Sequence, residues 1–365
     1  MFHALPLAAE LARLRPGYSI ETAVAGAQHL HCVRRVQQVY PEFRPLIHEL
    51  AVPRLLQGLQ AAGVMDQQAR AARLLGALPL FRGMDAIIAP ERTSLLLRPL
   101  LRRNTRLIFT PHGAGDRAIM VDWRDRWFDF VLVAGEKSER RMLAARTIRP
   151  GHYAVNGYVK LDLMQRLRGS QTPLFDNGRP VVLYAPHFRP ALSSWPRWGR
   201  AVIEAFRAQQ RYNLVVAPHI RLFHGASLAA KDELLALAEP GRIIIDLESD
   251  RLVDMTYTAQ ADVYLGDVSS QVYEFLAQPR PCVFLNAHGV AWQSDPNYRF
   301  WKLGEVVEDA ALLLPAIDRS FARHAAYAGE QRAALAESIG ADPAGAAQRG
   351  AAAIAAFLEG GAPAS

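Results

Sequence analysis

Residues 262–276 read DVYLGDVSSQVYEFL. The β-favouring Val263, Tyr264 and Leu265 end at a glycine, and a short acidic, hydroxyl-bearing turn follows. Val272, Phe275 and Leu276 then recur with helical spacing. A buried strand that turns directly into a helix is the building unit of a parallel α/β sheet. The same kind of apolar run appears at 19–26 (SIETAVAG), 86–90 (AIIAP), 106–110 (RLIFT), 130–134 (FVLVA) and 153–157 (YAVNG). It appears again at 181–185 (VVLYA), 213–217 (NLVVA), 242–246 (RIIID) and 282–286 (CVFLN). Stretches such as Trp198–Gln209 and Lys231–Ala238 carry the 3.6-residue period between strands. The expectation is an α/β protein of two Rossmann-like domains whose parallel sheets face a central cleft.

A length of 365 residues suits two cores rather than one. The polar stretch Arg168–Arg179, with Gly and Pro and no period, is the expected hinge. It divides the chain into an acceptor-side domain over 1–170 and a nucleotide-donor domain over 171–330, followed by an alanine-rich helix and tail over 331–365. A parallel domain normally opens with a strand, whereas Leu5–Leu14 already has helical spacing. Either Met1–His3 is the stub of an abbreviated sheet or the true start lies upstream. There is no internal repeat, and no GxGxxG fingerprint of a nicotinamide domain.

Cys32 and Cys282 are far apart and sit in no partner motif, which fits a reducing compartment. No apolar run reaches the roughly 20 residues of a membrane span, and charges fall too early for a signal peptide. The expected location is the cytoplasm, or the inner face of the cell membrane with peripheral attachment. Of the 42 Lys and Arg, 14 arginines and no lysine lie in Met1–Thr110, against 7 acids there. That excess suits a polyanionic partner such as anionic lipid or a phosphorylated polymer, and equally an ordinary solubilising surface. Within it, LLLRPLLRRNTRL (95–107) reads either as an interfacial segment or as a core-facing helix.

In open parallel sheets, ligands bind beyond the carboxyl ends of the strands. His112 and Gly113 follow RLIFT, and Lys160 and Asp162 follow YAVNG. His187 and Arg189 follow VVLYA, His219 and Arg221 follow NLVVA, and Asp267, Ser269 and Ser270 follow DVYLG. Free N–H groups and two hydroxyls at a strand-to-helix turn suit a phosphate. Arg189 and His219 would add donors, and Glu274, one turn on, could accept from ribose hydroxyls. The plainer reading of the same turn is a helix cap by Asp267 or Ser269. His112, in a glycine-flanked loop of the other half, has the chemistry of a general base. The histidines lack metal-ligand spacing and no carboxylate cluster suits Mg²⁺, so neither metal nor cofactor is expected.

The series HG, NGYVKLD, LYAPHFR, VVAPH and ADVYLGDVSSQVYEFLAQPRPCVFLN resembles the CDP-glycerol glycerophosphotransferase family over Asp85–Asn286. That resemblance implies a GT-B-type transferase. It would move glycerol phosphate, or a related polyol phosphate or sugar, from a CDP-activated donor to a hydroxyl of a cell-surface polymer or lipid-linked acceptor, with no nucleic acid involved. It implies that His112 is the base and that His219 engages the donor pyrophosphate. Ser269 and Ser270 would form the phosphate loop, with Arg189 and Glu274 beside it. The chain departs from the family's pattern after HG, where it has AGDRA, and at Val159-Lys160-Leu161. Both departures lie in the acceptor half. Three alternatives stand beside this one: a GT-B glycosyltransferase using another nucleotide sugar, a UDP-sugar 2-epimerase, which also carries a histidine before an Ala-Gly pair, and an inactive GT-B-like scaffold.

Overall fold

The structure, a computed structural model, describes residues 1–51, 66–112, 121–167, 172–340 and 342–360. Its residues group into two compact units. The first takes the described residues of Met1–Ala114, Val121–Leu167 and Ala336–Ser365, and the second those of Arg168–Leu335. The change of unit after Leu167 falls at the polar stretch read as a hinge, of which 168–171 lie outside the described residues.

In the first unit, β1 (Glu21–Val24) pairs in parallel with β2 (Leu46–Glu49). Separately, β3 (Ala86–Ala89), β4 (Arg106–Phe109), β5 (Phe130–Val133) and β6 (Tyr153–Val155) form a parallel four-stranded sheet in chain order. β5 is buried throughout, whereas the first three residues of β3 are only half-buried. A cavity of about 230 Å³ lies between the free edges of β1 and β3, lined by Glu21–Ala23, Ala86–Ile88 and the start of the helix Leu5–Leu14.

The alanine-rich end is not a separate tail. From Ala336 it returns to the first unit, where the helix Ala346–Leu358 lies on Leu7 and Leu11 of the first helix and on Phe130 and Leu132 of the sheet. Small side chains make this approach close enough to exclude water: a Cβ on Gly350 would stand 2.5 Å from Leu7. Part of the arginine excess of the first third is met inside this unit. Arg92 pairs with Asp125 at 2.6 Å, Arg98 with Asp129, and Arg15 with Glu359 at 2.6 Å. Of the 95–107 stretch, Leu95 and Leu97 face the core in a 3₁₀ segment over Arg92–Leu100, while Leu96 and Leu100 are exposed. No helix among the described residues is long and apolar enough to cross a membrane.

The second unit is built on one six-stranded parallel sheet. Its strands are β7 (Val181–Ala185), β8 (Asn213–Val216), β9 (Ile243–Ile245), β10 (Val263–Gly266), β11 (Cys282–Leu285) and β12 (Glu305–Val307). Their spatial order is β12-β11-β10-β7-β8-β9, the doubly wound order that places the first strand of the unit at the centre. Because side chains alternate across a strand, Val182, Tyr184, Leu214, Val216, Val263 and Leu265 meet the helix Trp195–Arg207 on one face. Leu183, Val215, Tyr264 and Phe284 meet Val272, Phe275 and Trp301 on the other. With both faces covered, each strand must be apolar at every position, which is why these runs stand out in the sequence. The two pieces of the first unit's sheet, β2-β1 and β3-β4-β5-β6, have the same order with the central strand absent among the described residues.

Candidate functional site

In the second unit the strand order reverses between β7 and β10. That is the switch point at which crossovers leave to opposite faces and open a crevice at the carboxyl ends. Three loops reach this edge. After β7 the chain reads Ala185-Pro186-His187-Phe188-Arg189, and after the adjacent β8 it reads Ala217-Pro218-His219-Ile220-Arg221. The two loops are built alike. His187 Nδ1 accepts the backbone N–H of Arg189 at 3.0 Å, and His219 Nδ1 accepts that of Arg221 at 3.1 Å. An Nδ1 that accepts carries no proton, so in both rings the neutral form holds its hydrogen on Nε2 and presents a donor. The His219 N–H also donates to the Pro186 carbonyl, tying one loop to the other at 3.1 Å.

Between the loops lies Phe188, half-buried, with its ring 4.6 Å from that of His187 and 4.5 Å from that of His219. The guanidinium carbons of Arg189 and Arg221 stand 5.8 and 5.5 Å from the same ring centroid. That is cation–π distance. Arg189, His219 and Arg221 are exposed, so two cations and an imidazole donor gather around one aromatic platform. Arg221 stands beside His219 in the sequence without a role assigned to it, and the repeated Ala-Pro-His-x-Arg pattern is the signal that pairs it with Arg189.

The turn after β10 completes the edge. Ser269 Oγ accepts the N–H of Gln271 at 3.2 Å, capping the short helix Gln271–Phe275, and Ser270 is its N-cap residue. Both serines are partly exposed. Asp267 is not: it is 1% exposed, and its Oδ2 accepts N–H groups from His187 and Ser194, each at 2.9 Å. Burial raises its carboxyl from 3.8 to about 6, the Ser194 side chain and the two N–H groups offsetting part of that rise. Direct donor contact by Asp267 is therefore corrected, since the carboxylate points inward, where it holds backbone rather than meeting a phosphate it would repel. His187, 2% exposed, is likewise a support for its loop and not a surface contact, and Glu274 is buried with the helix.

In the first unit, His112 follows β4. Its Nδ1 lies 3.1 Å from the Pro90 carbonyl at the end of β3. A carbonyl only accepts, so Nδ1 carries the proton and Nε2 is left with its basic lone pair. The side chain is 58% exposed, with Glu91 Oε1 4.0 Å away. The His3 ring is 6.2 Å from that of His112 and 5.3 Å from that of Tyr158. Burial, then Lys160 and the chain's amino group, hold His3 well below the usual imidazole range and therefore neutral. His3 belongs to no motif and was not singled out in the sequence.

Lys160 lies in the first turn of the helix Val159–Leu167, near His3. Asp162 does not belong with it. It is 2% exposed and accepts from Gly345 at 3.2 Å, Ala347 at 3.0 Å and Arg166 at 3.1 Å, capping the C-terminal helix. Its acceptor-side assignment is corrected to a structural one. Gly113 lies outside the described residues. The glycine of NGY, Gly157, adopts φ +93°, which turns the chain from β6 into that helix. Among the described residues no group of three or more His, Cys, Asp or Glu could hold a metal ion.

No family model matches the chain, and no curated protein does. Solved structures do. One from Listeria monocytogenes, assigned as a UDP-N-acetylglucosamine 2-epimerase, aligns over 100% of this chain and 95% of its own, at 14% identity and TM-score 0.66. The wall teichoic acid polymerase TagF aligns over 98% and 86%, at 13% identity and TM-score 0.66. The UDP-GlcNAc 2-epimerase from Neisseria meningitidis, solved bound to UDP-GlcNAc, aligns over 98% and 96%, at 14% identity and TM-score 0.58. The chain thus has a mixed α/β, GT-B-like fold with parallel sheets. At these identities the likeness is one of fold.

Proposed function

We propose that the chain is a GT-B-type transferase that moves glycerol phosphate, or a related polyol phosphate or sugar, from a CDP-activated donor to a hydroxyl of a cell-surface polymer or lipid-linked acceptor. The observation that carries this reading is the pair of Ala-Pro-His-x-Arg loops beside Ser269 and Ser270 at the switch point of the second unit. Two arginines, an Nε2–H donor and two hydroxyls make a site for a diphosphate. On this reading the acceptor side belongs to the first unit. The acceptor oxygen attacks the phosphorus of the glycerol phosphate, the P–O bond to CMP breaks, and the acceptor proton passes to His112 Nε2. Arg189, Arg221 and His219 stabilise the negative charge on the departing phosphate, and Lys160 and His3 line the surroundings of the base.

One specific observation favours a second reading, a UDP-sugar 2-epimerase: the HGAG run at 112–115 together with near-complete alignment to two epimerase structures. Thermal-shift screening against CDP, UDP, GDP and their glycerol, ribitol and sugar conjugates, followed by product analysis, separates the two. Transfer needs an acceptor and releases CMP from CDP-glycerol. An epimerase inverts C2 of a UDP-sugar with no acceptor, giving the epimeric UDP-sugar or, where water enters, UDP and the epimeric sugar; binding with no turnover on any conjugate would leave a scaffold.

A further inference from the structure

The loop that carries Phe188 and Arg189 begins at His187 and ends at Ser194, where the helix Trp195–Arg207 starts. A single oxygen, Asp267 Oδ2, accepts the N–H at each of these two ends, each at 2.9 Å. Oδ1 is buried with no hydrogen-bond partner among the described residues. The Asp267 backbone carbonyl accepts Trp301 Nε1 at 3.4 Å, so the carboxylate stands on a fixed base two residues before Ser269. A carboxylate buried away from water is an unfavourable way to pin a loop unless the strength of a charged acceptor is needed there. We propose that Asp267 is the positioning residue of the candidate donor site, its carboxylate closing the His187–Ser194 loop at both ends and so fixing Phe188 and Arg189 relative to Ser269 and Ser270.

This inference rests on the reading of that edge as a nucleotide-diphosphate site. The titratable groups facing the carboxylate are Tyr184 from β7, Tyr264 from β10 and His187 from the loop. Cys282 and Glu274 lie next to Tyr264. Burial pushes both tyrosines and the cysteine upward. Their neutral forms hold throughout the range in which the carboxyl titrates, near pH 6. Protonation removes the charge from the shared acceptor and loosens both loop ends. Protonating a histidine in the site does the reverse, because added positive charge strengthens anion binding.

The test uses the full chain, wild type and Asp267→Asn, with UDP and CDP as probes. Titration calorimetry from pH 5 to 8 should show roughly tenfold weaker binding by D267N at pH 8, the size expected for a charged acceptor replaced by a neutral one. The ratio of wild-type to D267N affinity should fall toward one as pH drops through about 6. Taking the ratio cancels any histidine contribution common to both proteins. Independently of nucleotide, the amide resonances of His187 and Ser194 should titrate with a midpoint near 6 in the wild type and not in D267N. Equal affinities at pH 8, or amides that do not move, overturn the inference. Amides that titrate in a protein binding neither UDP nor CDP at any pH leave the tether standing but overturn the donor-site reading, and with it the role of Asp267 in binding.

Discussion

Replacing Asp267 by Asn should make the protein more stable at neutral pH while weakening its site. The carboxyl rises from 3.8 in the unfolded chain to about 6 in the fold because burial penalises its charge. Between those values the native state holds a proton that the unfolded state has lost, so stability falls as pH rises through the window and levels off above it. The full difference corresponds to about 3 kcal/mol. Asn keeps an oxygen able to accept from His187 and Ser194 but is the weaker acceptor, which returns roughly 1 kcal/mol or more of that gain. The expected net effect at pH 8 is about 1–2 kcal/mol in favour of D267N, or roughly 2–8 °C in Tm for a unit of this size. The advantage should shrink as pH falls through 6 and reverse by about pH 4, because the wild type regains about 3 kcal/mol over that window, more than the advantage at pH 8. Calorimetric scans at half-unit pH intervals read it directly. A variant that is less stable than wild type at pH 8, or whose difference does not change with pH, would refute the reasoning.

Replacing Ser269 and Ser270 together by Ala should weaken UDP or CDP binding by about 1–3 kcal/mol, the loss of hydrogen bonds to a charged group; unchanged affinity by calorimetry would remove the serines from the site. His112→Gln should lower turnover by roughly 10²–10⁴-fold while donor affinity is kept, and near-native turnover would place the base elsewhere. Gly157→Ala should destabilise the first unit by about 1–3 kcal/mol, since it forces an L residue to positive φ and sets its Cβ 2.9 Å from Arg349 Nη2; an unchanged Tm would contradict the strain. In native-state hydrogen exchange, β1 and β3 should open at lower free energy than β7, β8 and β10, because their free edges border a cavity rather than another strand. Equal protection would show that the gap has no energetic consequence.

Most of the sheet was legible because parallel strands covered on both faces have to be apolar at every position. All ten runs expected from sequence are strands. Among the described residues, the two strands that escaped, β2 and β12, lack that signature. β2 is mostly exposed and includes His48 and Glu49, while β12 is three residues long and opens with Glu305, which pairs with Arg319 and Arg323. Strand ends also showed where polar residues would gather. They could not show which way each side chain points. His187 and His219 occupy equivalent places in loops built alike, yet one residue is buried and the other exposed, with β7 at the centre of the sheet and β8 one strand nearer its edge. Asp162 caps a helix that begins more than 180 residues later, a contact no local pattern encodes.

The split sheet of the first unit bears on the candidate base. His112 is held through Nδ1 by the Pro90 carbonyl, and Pro90 directly follows β3. β3 is the strand whose outer edge borders the cavity, with Ala86, Ile87 and Ile88 only half-buried, whereas a fully flanked parallel strand buries such residues completely. On its other side β3 is secured by the ladder to β4 and by Thr105, whose hydroxyl donates to the Met84 carbonyl at 2.9 Å. The basic nitrogen is therefore set by a strand supported from one side. In the second unit, Asp267 fixes the candidate donor loop through a buried charge on a strand flanked on both sides. Within the first unit, the placement of the candidate base therefore follows the movements of β3. Any ligand that packs against β3 and limits those movements would then favour the geometry in which His112 can accept a proton.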